Sequence, residues 1–308
     1  MLFEILKAVP PKKRDSLLLQ PFSKLHLMKY SFLLISICLF TVKSFAGTVD
    51  TVSIYSNSMH KYINAVVIKP DSYKKFTRRG GKRNTFPAVY LLHGYSGNYS
   101  NWITKVPELN KYADDYQTLI VCPDGAYSSW YFDSPLDTTY RYETHIATEV
   151  VSFIDENYRT IADKNHRAIT GLSMGGHGAL FLALRHATVF GAAGSMSGGV
   201  DLKESKNRFD IIKRIGDTIL QEKNWHNLTV INVIENYTNT DVKIIFDCGI
   251  GDIFIEGNRR LHQKMLQLKI PHEYTERPGV HNWDYWRNSV GAELYFFSKF
   301  FGSGNKKS

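Results

Sequence analysis

His166-Arg167-Ala168-Ile169-Thr170-Gly171-Leu172-Ser173-Met174-Gly175-Gly176-His177-Gly178 is the stretch whose reading decides the fold. A short apolar run passes into Gly171, a serine stands between glycines, and a helical pattern follows from Gly178 to His186. That order is the layout of a nucleophile elbow, in which a strand (166–170) turns sharply into a helix with Ser173 at the apex. Such a turn tolerates no bulk at Gly171 or Gly175. The serine hydroxyl is then expected at the top of a sheet.

Outward from the elbow, β-branched apolar runs alternate with longer helical patterns, which predicts an α/β fold with a mostly parallel central sheet flanked by helices. About eight strands are expected, over 51–56, 63–68, 88–92, 118–122, 167–170, 192–195, 242–247 and 272–277. The firmest helical patterns lie at 142–158, with apolar residues at Ile146, Val150, Phe153 and Ile154, and at 178–186; others follow at 258–268 and 285–300. The segment 201–241 is polar, carries only short helical patterns, and reads as a rim or partial cap over the site. With no repeat, low-complexity stretch or linker, 47–302 reads as a single domain and 303–308 as a mobile tail.

Residues 1–46 belong to neither. Met28-Lys29-Tyr30 precedes an apolar run to Val42 and then Ser44-Phe45-Ala46, the pattern of a secretory signal peptide cleaved after Ala46. The run is too short to span a bilayer, which needs about 20 apolar residues, and residues 1–27 suggest that translation starts at Met28. The expectation is therefore a secreted or periplasmic protein with no stable membrane insertion of the mature chain. Removing 1–46 takes away seven Lys/Arg and two Asp/Glu, so the formal charge falls from +9 to +4. So small an excess makes no case for nucleic acid; the basic stretch from Lys74 to Arg83, broken by Gly80-Gly81, reads as a solvated loop. Cys122 and Cys248 are the cysteines left, without CxxC or zinc-type Cys/His spacing, and read as buried, inert thiols.

A serine hydroxyl is a weak nucleophile until a base takes its proton, and a histidine base needs a carboxylate to fix its tautomer. With a nucleophile in this kind of elbow, acid and then histidine are expected on loops after the late strands. Cys248-Gly249-Ile250-Gly251-Asp252 follows one such strand and Gly279-Val280-His281-Asn282-Trp283 the next. Asp252 and His281 are the candidates. Asp247 competes, but it falls inside the strand, whereas ligands bind beyond the carboxyl ends of strands. Asp284 suits a helix cap, His177 should point away from Ser173, and His93, before Gly94, reads as structural. Oxyanion-hole donors are expected from the backbone N–H of Met174, directly after the nucleophile, and of Tyr95, where Gly94 lets the chain turn toward the site. Tyr95, Trp102, Trp130, Tyr131 and Trp283 could stack on a sugar or cinnamoyl ring, or could pack the core.

With these segments in view, the chain resembles the esterase D group of α/β-hydrolases, which includes carbohydrate esterase family 1 feruloyl and acetylxylan esterases, S-formylglutathione hydrolases and mycolyltransferases. The resemblance runs from about Thr51 to Phe301. It is carried by Leu91-Leu92-His93-Gly94, Ser129-Trp130-Tyr131-Phe132-Asp133-Ser134-Pro135, the elbow through Gly178, Asp247-Cys248-Gly249 with Asp252, and His281-Asn282-Trp283. It implies a metal-free, cofactor-free Ser-Asp-His esterase with donors from Met174 and Tyr95, acting on short-acyl or hydroxycinnamoyl esters, with plant-polysaccharide sugars as the expected carriers. It also admits an acyltransferase that passes the acyl group to a sugar, or an S-formylglutathione hydrolase-like thioesterase, a reading that the expected secretion weakens because its thiol ester substrate is intracellular. The residues alone leave the acyl group, the alcohol and the oligomeric state open.

Overall fold

Parallel strands buried on both faces read as unbroken apolar runs, and four such strands form the centre of the molecule. These are β3 (Ala88–Leu92), β4 (Leu119–Pro123), β5 (Arg167–Gly171) and β6 (Ala192–Met196), and every residue in them is buried. A computed structural model describes residues 48–74, 84–237 and 240–304. The expected signal peptide and its expected cleavage site, most of the basic stretch 74–83, and residues 305–308 lie outside the described residues. Flanking the centre are β1 (Thr48–Ser56), β2 (Lys61–Lys69), β7 (Lys243–Gly249) and β8 (His272–Arg277), in the order β1-β2-β4-β3-β5-β6-β7-β8. β2 runs antiparallel to both β1 and β4, and every other pairing is parallel.

Side chains alternate across the sheet, so each strand feeds two cores. Ala88, Tyr90 and Leu92 join Phe181, Ile154 and Trp130 on one face. Val89 and Leu91 join Trp102, Leu109, Trp286 and Phe297 on the other. The first face is covered by the elbow helix (Met174–Arg185) and by a helical run in which Tyr142–Thr144, a π-type segment His145–Val150 and Val151–Asn157 follow one another. The second face is covered by the C-terminal helix (Trp283–Gly304) and the short helices Asn101–Lys105 and Leu109–Tyr116. No helix among the described residues is long and apolar enough to cross a membrane.

Three differences from the sequence reading have physical causes. The elbow helix starts at Met174 and not at Gly178, because the glycine-rich first turn packs directly on the backbone of β3. The helices at 101–105 and 109–116 are too short to show a period, and they are held by burying Trp102, Leu109 and Ala113. The C-terminal helix continues to Gly304, two residues into the expected tail. Cys122 and Cys248 are buried and free, and burial pushes both thiols up.

Candidate active site

The chain visits β3, then β4 on one side of it, then β5 on the other, so the strand order reverses at β3. A crevice forms at such a switch point beyond the carboxyl ends of the strands. Two loops meet there: His93-Gly94-Tyr95 after β3 and Leu172-Ser173 after β5. Ser173 has φ 56° and ψ −115°, a left-handed conformation that an L-residue adopts only under constraint. The constraint is visible on both sides. A Cβ on Gly171 would lie 2.7 Å from Leu92 O, and one on Gly175 would lie 2.6 Å from both Leu92 O and His93 O. The Ser173 N–H donates to Met196 O at 2.9 Å and its carbonyl accepts from Gly199 N at 3.2 Å, which ties the apex to the end of β6.

The loops after β7 and β8 are zipped to each other. Ile250 N donates to Arg277 O and Gly251 N to Gly279 O, each at 2.9 Å. This pairing brings Asp252 and His281 together. His281 Nδ1 lies 3.0 and 2.9 Å from the two Asp252 carboxylate oxygens, and His281 Nε2 lies 2.9 Å from Ser173 Oγ. Asp252 also accepts from Phe254 N at 2.9 Å. A ring whose Nδ1–H faces a carboxylate presents Nε2 as an acceptor to the serine, which is the tautomer a base needs. Phe254 and Trp286 meet the imidazole edge-on at 5.1 and 4.8 Å and limit its rotation. Ser173 and Asp252 are buried, while His281 is partly open to solvent.

Ser173, His281 and Tyr95 line one cleft of about 210 Å³, together with Phe209, Trp283 and Trp286. A cavity of about 900 Å³, lined by Lys164, Asp241, Lys243, Glu273 and Phe300, contains none of the reactive groups. Volume alone would point there; the chemistry does not. Of the aromatics expected to touch substrate, Trp283 and Tyr95 reach the cleft. Trp102, Trp130 and Tyr131 do not, and that part of the sequence reading is corrected: all three are fully buried. Each spends its polar handle on a backbone carbonyl near the site, as buried Trp and Tyr generally must. Trp102 Nε1 donates to Leu92 O at 2.9 Å, Tyr131 OH to His93 O at 3.0 Å, and Trp130 Nε1 to Phe209 O at 3.0 Å. They hold the loops that form the cleft.

The remaining candidates fall into supporting places. His93 Nε2 accepts from Gly125 N at 2.8 Å while Nδ1 faces Gly94 O at 2.8 Å, so its ring clasps the loop that carries Tyr95. His177 is buried between Trp130 O and Leu228 O, and burial pushes it down to about 4. Asp247 is buried in β7, bound to Ser289 and Arg277 and not to His281. Asp284 lies in the first turn of the C-terminal helix. Among the described residues no group of three or more His, Cys, Asp or Glu could hold a metal. Phe209 was not singled out from sequence. Its backbone is left-handed at φ 57°, as is that of Asp210 at φ 56°, and its ring packs against Tyr95, Trp130 and Phe254. The one hint was its position in the expected cap.

Comparison with known proteins adds four findings. The family model Esterase, described as "Putative esterase", matches residues 56–297. An acetyl esterase of Caldicellulosiruptor saccharolyticus is 26% identical over 268 residues, covering 80% of this chain and 97% of that protein. An endo-1,4-beta-xylanase/feruloyl esterase of Xylanibacter ruminicola is 32% identical over 165 residues, which is 51% of this chain and 22% of that longer protein. Among solved structures, a ferulic acid esterase superposes with a TM-score of 0.70 at 26% identity, over 84% of this chain and 100% of that one. The eight-stranded, mostly parallel sheet is thus an α/β-hydrolase fold.

Proposed function

This chain belongs to the Esterase family and is a carboxylic ester hydrolase, and from that premise we propose that Ser173, His281 and Asp252 are its catalytic triad. The observation that carries the reading is the unbroken hydrogen-bonded chain from Ser173 Oγ through His281 to Asp252. Ser173 Oγ attacks the ester carbonyl as His281 Nε2 takes its proton, and Asp252 stabilises the imidazolium that forms. The N–H groups of Tyr95 and Met174 receive the developing oxyanion. Met174 opens a helix, so its N–H has no intrahelical partner and points where negative charge is favoured. Losing one such donor costs about 3–4 kcal/mol of transition-state stabilisation. The imidazolium then protonates the alcohol oxygen as the ester C–O bond breaks. Water, deprotonated by the same nitrogen, cleaves the acyl-Ser173 intermediate.

The natural substrates in this reading are short-acyl or hydroxycinnamoyl esters on plant-polysaccharide sugars, met outside the cytoplasm by a secreted or periplasmic domain spanning 47–302. Two features support it: a small aromatic-walled cleft, and relatives named for acetyl and feruloyl ester hydrolysis. The test pairs wild type with Ser173→Ala on p-nitrophenyl acetate, where removal of the nucleophile is expected to cost about a millionfold in kcat. Comparable rates for the two proteins would reject the triad. Acetylated and feruloylated xylo-oligosaccharides run beside tributyrin then read the substrate class, and preference for tributyrin would reject the sugar assignment.

A further inference from the structure

Beneath the triad lies a second polar group that ester hydrolysis does not use. Glu293, on the C-terminal helix, is fully buried and accepts a short hydrogen bond from the Thr170 hydroxyl of β5. Its carboxyl occupies space that a Cβ on Gly194 of β6 would take. Asp247, in β7, is equally buried; its Oδ2 accepts from Ser289 of the same helix and pairs with Arg277 of β8 at 3.2 Å. Arg277 in turn reaches Ser289 Oγ at 3.4 Å. Two acids that play no part in the chemistry therefore join the C-terminal helix to β5, β7 and β8.

The attachment points coincide with the triad's carriers. Thr170 is three residues before Ser173, Asp247 five before Asp252, and Arg277 four before His281, while Tyr285, just after His281, packs its ring on Gly279. Resting on the triad assignment above, we propose that Glu293 and Asp247 are positioning residues that lock the C-terminal helix to the strands carrying Ser173, Asp252 and His281, and so set the distances within the triad. Displacements of about 1 Å far from the chemistry can cost about a hundredfold in rate. A buried hydrogen-bonded frame is a direct way to prevent them.

Charge decides how Glu293 does this. Burial, and then the negative charge of Asp247, push its carboxyl well above the usual carboxylate range, and the Thr170 hydroxyl, the Ser195 amide and Arg277 oppose the shift. The groups facing it are Thr170 from β5, Ser195 from β6, Asp247 from β7 and Arg277 from β8, with Tyr285 beside Asp247. The upward shift favours the neutral form of Glu293, which glutamine mimics. An unfolded glutamate titrates near about 4.3. With the folded value raised, stability present below that pH is lost as pH rises toward the folded value. Glutamine does not titrate and escapes the loss.

The experiment compares wild type, Glu293→Gln, Glu293→Leu and Thr170→Val for kcat and KM on p-nitrophenyl acetate, with circular dichroism to confirm folding and a fluorophosphonate probe to label Ser173. In the folded Leu and Val variants kcat should fall about tenfold or more with KM within about twofold, because the triad's geometry and not substrate binding is disturbed. Glu293→Gln should restore kcat to within about twofold of wild type. Its Tm should also exceed that of wild type at pH 8, with the gap closing toward pH 4. Wild-type kcat in Thr170→Val or Glu293→Leu, or a Gln variant no better than Leu, overturns the proposal. Should Glu293→Leu fail to fold, Thr170→Val decides on its own, since it breaks the same contact from the β5 side. Failure of the probe to label wild-type Ser173 would instead refute the triad assignment, and the Tm comparison still reads the neutral Glu293.

Discussion

Around Ser173 the backbone is held on two flanks by other backbone: carbonyls of Leu92 and His93 on one, Met196 O and Gly199 N on the other. Across the cleft, residues 201–237 are short helical pieces, Leu202–Ser205, Ile211–Ile215, Glu222–Leu228 and Val230–Val233, with Ile219 and Leu220 almost fully exposed between them. Yet this looser segment supplies Phe209, the cleft wall facing the elbow. The contrast separates two tasks. The Ser173 side of the cleft is fixed by strand ends and glycines, whereas the facing wall comes from a segment that is anchored to the core through Ile211, Trp225 and Val230 and leaves other residues in solvent.

The largest effect should come from adding one carbon to the rigid side. The three atoms nearest a methyl on Gly175 are all main-chain, Leu92 O and His93 O at 2.6 Å and Leu92 C at 2.8 Å, and none of them can turn aside as a side chain would. Overpacking of this kind costs about 1–3 kcal/mol or more. Here the strain falls on β3 and on the loop carrying Tyr95 as well as on the elbow. Gly175→Ala should therefore lose about 3 kcal/mol in denaturant unfolding and most of its kcat. A variant with unchanged midpoint and kcat would mean that the enclosure does not restrain the elbow.

How much could be read from sequence follows the same division. The eight strands lie within a few residues of their expected positions because buried parallel strands are apolar throughout and glycines mark where they end. Ser173, Asp252 and His281 were legible for a related reason: each follows a strand end on a short glycine-containing loop, and chain order supplied the pairing. Phe209 was not legible. Its left-handed φ arises from the Trp130 indole holding its carbonyl and from ring contacts with Tyr95 and Phe254, all made by residues far away in the chain. Trp102, Trp130 and Tyr131 were misplaced because an aromatic near a catalytic loop has the same spelling whether it faces the substrate or braces the loop from behind. Burial decides between the two, and burial is a property of the fold.

A smaller effect, and one that sharpens the contrast, is expected at Phe209. Replacing it with alanine removes a wall of the cleft without touching the hydrogen bonds among Ser173, His281 and Asp252. One methylene accommodated or refused by an apolar pocket is worth about 1–3 kcal/mol. Phe209→Ala should leave kcat/KM for p-nitrophenyl acetate within about threefold while raising it about tenfold for the butyrate and hexanoate esters. Equal losses on all three esters would show instead that Phe209 supports the triad, and the division of tasks would fail there.

The smallest effect tests whether the exposed part of the segment takes any share in catalysis. Ile219 and Leu220 are 84% and 82% exposed, and their turn is held through backbone, since both N–H groups donate to Asp217 Oδ1 at 2.8 and 3.0 Å. Serine at both positions keeps those bonds and removes only apolar surface that is already in water. Stability should stay within about 0.5 kcal/mol, as for surface substitutions away from special features. Hydrolysis of p-nitrophenyl acetate should not change, because no atom of the cleft moves. Leu136, 53% exposed, lies near Gly216, three residues before Ile219. Emulsified tributyrin gives the sharper reading: a loss confined to that substrate would mean the patch rests on an apolar aggregate while the cleft works. Unchanged rates on both substrates leave Phe209 as the segment's point of contact with the ester and the exposed turn as surface that the chemistry does not use.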